Sequence, residues 1–205
     1  MTQRRLFSAA RIFFGLLDLV AITVQLFRSI SLHFSVVSYF SYFTNLSNIF
    51  ASVVLVIGGI YLLQGREPTV REESIRGASV VAMAIVGVVF ALLLRNEDLG
   101  GLLPWVNFVL HYLMPVVVVA DWLIQPPKAR MGNAQITSWL IYPLVYLVYT
   151  LIRGPIAKFY PYPFVNPANG GYGTVALYCV GIFVLFLVFG GALAWLGNRF
   201  QHRIA

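Results

Sequence analysis

The sequence predicts an all-α integral membrane protein, a single domain over residues 1–205 built from six transmembrane helices. Hydrophobic residues make up 60% of the 205 positions and charged residues only 10%. A soluble domain of this size with that composition would expose a mostly apolar surface. The apolar residues also fall into six runs, each long enough, or nearly so, to cross about 30 Å of hydrocarbon.

The first three runs predict the first three helices. The first covers residues 7–30 and follows a basic start that a secretory signal can share. Because this run is longer than a signal sequence and contains Asp18, we expect a retained membrane helix. The second and third helices are predicted at residues 38–63 and 78–94.

The last three runs contain prolines that help to place the helices. The fourth helix is predicted at residues 104–124 and the fifth at 136–152, where Pro143 predicts a kink. The sixth is predicted at residues 172–196. The loop between the last two helices, 154–171, is rich in tyrosine and proline, so we expect it at a membrane interface.

The basic residues predict the orientation of the chain. The net charge is +7, but the basic residues lie at helix ends and form no single patch, so we expect no nucleic acid partner. Four of the fourteen lysines and arginines lie on the side away from the termini, at Arg28, Arg95, Arg153 and Lys158. The other ten lie on the side of the termini, which predicts cytoplasmic termini. The short loops favour a bacterial plasma membrane.

The second helix carries a dense polar cluster: Ser41, Thr44, Asn45, Ser47 and Asn48. Polar side chains are costly in hydrocarbon and usually face the protein interior. With a helix that begins at residue 38, Ser41, Thr44 and Asn48 are expected to share one face.

The other intramembrane polar residues lie on the first and fourth helices. Asp18 and Gln25 share a face of the first helix, and Asn107 and His111 share a face of the fourth, with Asp121 further along. Counting 1.5 Å per residue puts Thr44 and His111 about 9–10 Å below the same membrane boundary. Gln25 is expected at a similar level. The sequence therefore predicts one polar layer in which the Thr44 hydroxyl and the His111 ring could meet.

Such a pair suggests nucleophilic catalysis. A threonine hydroxyl needs an adjacent base to remove its proton, and histidine is the usual base. Side-chain amides can stabilise a developing oxyanion or orient the base, and the candidates are Asn45, Asn48, Asn107 and Gln25. A groove open to lipid would admit a lipid ester as the substrate. We expect no metal and no cofactor, since a bis-histidine haem needs two intramembrane histidines.

The fifth helix presents an aromatic stripe of Trp139, Tyr142, Tyr146 and Tyr149. The three tyrosines and Asp18 are candidates for lining a substrate site, although such a stripe is also typical of a helix core. For Asp18 and Asp121, pairing with arginine, backbone or water is expected rather than a catalytic role. The single cysteine, Cys179, has no partner for an intrachain disulfide.

Two other functions are compatible with the same residues. Asp18, Gln25, His111 and Asp121 could line the polar path of a small transporter or channel. Threonine and asparagine also join membrane helices through hydrogen bonds, which fits a non-catalytic lipid-binding protein. The oligomeric state is left open.

Three short motifs resemble one family, namely Tyr42-Phe43-Thr44-Asn45, His111 to Pro115 followed by Asp121, and Tyr142-Pro143 through Tyr149. The chain resembles the androgen-induced and androgen-dependent tissue-factor-pathway-inhibitor-regulating membrane proteins. Those are multispanning threonine hydrolases that cleave fatty acid esters of hydroxy fatty acids. The resemblance implies Thr44 as the nucleophile and His111 as its base.

Overall fold

The computed structural model describes residues 2–97 and 100–201, and these residues form an all-α bundle without strands. Six helices are long and apolar enough to span a membrane, which confirms the predicted fold class. We number them spans 1 to 6: Gln3–Ser31, Phe43–Gln64, Val70–Leu94, Pro104–Ile124, Asn133–Ala157 and Gly171–Gln201. Span 3 is the most buried of the six and contacts spans 2, 4, 5 and 6.

Spans 1 and 2 form the closest helix pair. Gly59 of span 2 faces span 1, and a Cβ atom there would lie 3.0 Å from the carbonyl oxygen of Ser8. The Ser8 hydroxyl donates a hydrogen bond of 2.6 Å to the Gly59 carbonyl oxygen. Small residues that let backbones approach in this way are typical of membrane helix interfaces.

The predicted start of the second helix at residue 38 is wrong. The chain first forms a short helix, Val36–Tyr39, and then turns before span 2 begins at Phe43. The turn is stabilised by Asn45, whose side chain donates 2.8 Å to the Tyr39 carbonyl oxygen. Ser41 therefore lies outside the helix and does not share a helical face with Thr44.

Spans 3 and 4 each contain one π-helical turn, Phe90–Leu94 and Val109–Leu113. The predicted limits of the fourth helix match the structure, whereas the third helix begins at Val70, eight residues earlier than predicted. The earlier start is explained by a capping box, in which Thr69 and Glu72 satisfy each other's backbone N–H groups. π turns are rare and often lie at functional sites.

The predicted kink in the fifth helix is confirmed. Span 5 consists of two helices, Asn133–Trp139 and Ile141–Ala157, that meet at Leu140. A proline ring clashes with the carbonyl group four residues before it, and for Pro143 that group belongs to Trp139. The break thus lies where Pro143 requires it.

The segment between spans 5 and 6, residues 158–170, folds over one end of the bundle, and we call it the capping loop. It contains two short 3₁₀ turns, Pro163–Val165 and Pro167–Asn169. Val165 and Tyr162 are buried, so this aromatic and proline-rich loop contributes side chains to the interior of the bundle.

Candidate active site

An apolar cavity of about 100 Å³ lies beneath the capping loop, between spans 2, 3, 5 and 6. Most of its wall consists of aliphatic and phenylalanine side chains. The side chains with a polar atom in its wall belong to Thr44, Tyr146, Tyr162 and Cys179. Its apolar lining is suited to part of a hydrocarbon chain, because an apolar space takes apolar ligands.

Thr44 lies in the first turn of span 2, at the edge of this cavity. The N–H groups in the first turn of a helix have no partner inside the helix. The Thr44 N–H donates a hydrogen bond of 3.1 Å to the Tyr162 hydroxyl instead. The Thr44 hydroxyl lies 3.3 Å from the same phenol oxygen. Burial raises the pKa of Tyr162 to about 12, so this phenol stays neutral near pH 7.

His111 lies in the π turn of span 4 and has other partners. Its Nδ1 atom is 3.3 Å from the Asn107 carbonyl oxygen, and its ring stacks on Phe90 with 4.0 Å between the ring centroids. The structure does not bring His111 into hydrogen-bond contact with Thr44, whose hydroxyl is already occupied by the capping loop. His111 also lies outside the wall of the apolar cavity.

Asn48 connects the segments that carry these two residues. Its amide nitrogen lies 2.9 Å from the Thr44 carbonyl oxygen and 3.3 Å from the Leu110 carbonyl oxygen. Spans 2 and 4 are therefore held together at the level of Thr44 and His111, as the polar-layer prediction requires. The Asn48 side-chain oxygen accepts no hydrogen bond within the described part of the chain.

The remaining amide candidates are used in different ways. Asn45 binds the Tyr39 carbonyl oxygen, so its side-chain nitrogen is committed to the turn before span 2. The Asn107 side-chain oxygen is buried and has no hydrogen-bond partner among the described residues. Neither residue is part of the cavity wall.

Gln25 does not lie in the polar layer, contrary to the prediction. Its side-chain oxygen accepts from the Leu103 N–H at 3.0 Å, and its nitrogen lies 3.4 Å from the Gly101 carbonyl oxygen. Leu103 precedes His111 by eight residues, or about 12 Å along a helix. Gln25 therefore holds the start of span 4, because the backbone groups before a helix need partners.

The two intramembrane aspartates are both engaged by neighbouring helices. Asp18 is fully buried and accepts from the Ser52 hydroxyl at 2.6 Å. Asp121 forms ion pairs with Arg11 at 2.6 Å and with Arg76 at 3.3 Å. The expected pairing with arginine is thus confirmed for Asp121, whereas Asp18 uses a serine hydroxyl and does not line the cavity.

The tyrosines of span 5 bind the polar segment before and within span 2. The Tyr142 hydroxyl lies 3.0 Å from the Ser47 hydroxyl, and the Tyr149 hydroxyl lies 2.8 Å from that of Ser41. Tyr146 donates to the Ser41 carbonyl oxygen at 2.9 Å. Of the three tyrosines, Tyr146 lines the cavity, and Tyr142 packs against the wall residue Phe43. Tyr149 is not part of the wall.

Tyr162 is the site residue that sequence reasoning missed. The sequence predicts Tyr162 only as part of an interfacial loop. In the structure its hydroxyl contacts both the N–H and the hydroxyl of Thr44, which is 118 positions away. The aromatic and proline-rich composition of the loop was the available signal for a buried role.

No protein-family model matches the chain, and it has no match among curated proteins or solved structures. The resemblance to the threonine hydrolases therefore rests on the three short motifs alone.

Proposed function

We propose that this protein is a membrane-embedded lipid ester hydrolase, in which Thr44 is the nucleophile and His111 the general base. The observation that supports it most is the position of the Thr44 hydroxyl, at the edge of an apolar cavity that can take an acyl chain. The motif resemblance supports the same assignment. The proposal includes a bacterial plasma membrane with cytoplasmic termini, supported by the excess of lysine and arginine on that side.

The cavity contributes to the position of the acyl chain and contributes little to its binding free energy. Lipid tails are as apolar as leucine side chains, so moving a chain from the bilayer into the cavity changes the free energy little. Selection among lipids must then come from the polar end, where Thr44 and Tyr162 lie. In this proposal the ester lies beside the hydroxyl while its chain occupies the cavity.

The reaction proceeds in two steps. The Thr44 oxygen forms a bond to the ester carbonyl carbon, its proton passes to His111, and the bond to the alcohol breaks as the alcohol takes that proton. Water then attacks the acyl-threonine, with His111 accepting the water proton and returning it to Thr44. The fatty acid leaves and the enzyme is restored.

The proposed reaction requires a rearranged, substrate-bound state. In the present structure the Thr44 hydroxyl contacts Tyr162, and His111 contacts Asn107 and Phe90. Catalytic hydrogen bonds are often long or misaligned without substrate. Tyr162 must therefore leave the Thr44 hydroxyl when an ester enters, and the neutral phenol is then available to donate to the ester oxygen.

The proposal is tested by comparing variants that keep or remove the hydroxyl. We expect Thr44→Ser to retain part of the turnover of a long-chain ester, and Thr44→Val to lose it while remaining folded. His111→Ala should lower the rate by a factor of about 10² to 10⁴. The double variant should be little worse than either single one, because residues that act as a unit are not additive. The assay is fatty acid release by purified protein in detergent or nanodiscs.

Ser47→Ala is a matched control, since it removes a hydroxyl of the same span that binds Tyr142 outside the cavity. Its turnover should stay near that of the parent protein. Full activity in folded Thr44→Val would exclude Thr44 as the nucleophile, whereas no turnover in the folded parent protein would leave a non-catalytic lipid-binding protein. The transporter alternative has less support, because Gln25 and Asp121 are each bound by neighbouring groups. Asp18 binds Ser52 through one carboxylate oxygen, and its other oxygen has no hydrogen-bond partner among the described residues.

A further inference from the structure

A second, more polar cavity of about 190 Å³ lies at the end of the bundle covered by the capping loop. We call it the vestibule. Its wall includes Glu97 after span 3, Asn166 and Asn169 of the capping loop, and Tyr178 of span 6. It shares Leu94 and Phe164 with the apolar cavity. The two cavities are therefore neighbours, with these two residues in the walls of both.

The vestibule and the apolar cavity together suit an amphiphile. The apolar cavity has Thr44 and Tyr162 in its wall, and both belong to the end of the bundle that carries the capping loop. A hydrocarbon chain in the apolar cavity would thus direct its polar end past Thr44 towards the vestibule. An ester beside Thr44 then lies between chain and head group.

The charged and aromatic side chains of the vestibule indicate which kind of lipid head group it would bind. Among the described residues of its wall, Glu97 is the one charged side chain. It forms no ion pair with any residue in the ranges 2–97 and 100–201. Phe164 and Tyr178 also line it, with 5.8 Å between their ring centroids. Aromatic faces beside a carboxylate are the chemistry that binds quaternary ammonium groups.

We propose that the vestibule binds the quaternary ammonium head group of a single-chain amphiphile whose tail enters the apolar cavity. The proposal names the substrate class of the proposed hydrolase. That this amphiphile is cleaved rests on the proposed function, whereas that it binds does not. A choline ester of a fatty acid has the required parts. An ester that ends in a free carboxylate is disfavoured, since that carboxylate would face Glu97 in the vestibule.

Binding is tested with three non-cleavable hexadecyl ethers, of choline, of ethylene glycol and of glycolate, which carry positive, neutral and negative heads. Dissociation constants are measured on the full chain in nanodiscs by native mass spectrometry. We expect the choline ether to bind most tightly. Glu97→Gln should weaken its binding about two- to five-fold, the range for an exposed ion pair. Tyr178→Leu should weaken it by a similar factor.

The matched control is Glu67→Gln, which neutralises an exposed carboxylate paired with Lys128 at the opposite end of the bundle. It should leave all three dissociation constants unchanged, and neither Glu97→Gln nor Tyr178→Leu should alter binding of the neutral ether. Equal affinity for the three ethers, or choline-ether binding that is insensitive to both variants, would overturn the proposal.

Failure of the hydrolase and failure of the head-group site give different results. The ethers contain no ester, so Thr44→Val should bind the choline ether as the parent protein does. If Thr44→Val still cleaves esters while the choline preference holds, the assignment of Thr44 as the nucleophile is wrong and the binding site stands. If Thr44→Val cleaves no ester but the three ethers bind the parent protein equally well, only the head-group assignment is wrong.

Discussion

At the scale of single residues, the Tyr162 hydroxyl is the hydrogen-bond partner of Thr44. One phenol oxygen is within hydrogen-bond distance of both the Thr44 N–H and its hydroxyl. Tyr162 is itself fixed by rings, since it stacks on Phe164 with 5.1 Å between centroids and packs edge-on against Tyr42. It therefore joins the capping loop to the first turn of span 2.

We predict that Tyr162→Phe destabilises the protein. The ring packing is kept, but the buried Thr44 N–H loses its acceptor, and a buried unsatisfied group costs about 1–3 kcal/mol. For a chain of this size, that cost lowers the midpoint of thermal unfolding by roughly 2–10 °C. The midpoint is measured in detergent by intrinsic fluorescence.

Tyr160→Phe is the control for this prediction, because it makes the same change in the same loop. The Tyr160 ring packs against Gly154, and this packing does not use the hydroxyl. Its midpoint should match that of the parent protein. An unchanged midpoint in Tyr162→Phe would show that the bonds to Thr44 do not stabilise the fold.

At the scale of elements, the close packing of spans 1 and 2 supports the helix that carries Thr44. Glycines on both helices make the close approach possible: a Cβ atom on Gly15 would lie 2.9 Å from the Ser52 carbonyl oxygen, and one on Gly59 would lie 2.7 Å from Ile12 Cγ1. The approach also brings the Ser52 hydroxyl to Asp18. Since span 2 carries Thr44, this helix pair supports its first turn.

We predict that Gly59→Leu lowers the yield of folded protein and the unfolding temperature. A leucine side chain cannot fit against Ser8 and Ile12 without pushing the helices apart, and overpacking typically costs about 1–3 kcal/mol. Size-exclusion chromatography and thermal unfolding in the same detergent measure the effect.

Gly181→Leu makes the same change on span 6, where a Cβ atom would meet nothing within 4 Å. It should be neutral or slightly stabilising, because leucine favours a helix over glycine by roughly 1 kcal/mol. Equal behaviour of the two variants would contradict the close-packed interface.

At the scale of the whole molecule, charge is distributed unequally between the two ends of the bundle. Among the described residues, the end opposite the capping loop carries nine of the fourteen lysines and arginines of the sequence; Arg203 lies outside the described residues. Arg11 and Arg76 at this end are paired with Asp121, and Glu73 pairs with Arg76. The remaining excess of positive charge favours the cytoplasmic side.

We predict that single cysteines at Glu67 and Lys128 are shielded from a membrane-impermeant thiol reagent in intact cells, whereas ones at Asn96 and Asn169 react. All four positions are exposed in the structure, so access depends on the side of the membrane. The background is Cys179→Ser, and permeabilised cells provide the control in which all four should react. Labelling of Lys128 in intact cells would reverse the orientation.

Much of the architecture could be predicted from the sequence because its causes are local. The six apolar runs are properties of short segments, and the break in span 5 follows from the ring of Pro143 alone. The polar layer of spans 2 and 4 follows from helical rise, and Asn48 connects them at that level. The helices that carry the candidate nucleophile and base could thus be located from the sequence.

The partners of these residues were decided only by the tertiary structure. The start of span 2 depends on Asn45 binding back to Tyr39, and Thr44 is bound by Tyr162 from a distant loop. His111 stacks on Phe90 of another span. Hydrophobic burial drives each segment into the membrane independently, whereas hydrogen bonds and ring contacts between distant residues form only after the helices have packed. The sequence therefore determined the spans and their polar residues, and packing decided which of those residues meet.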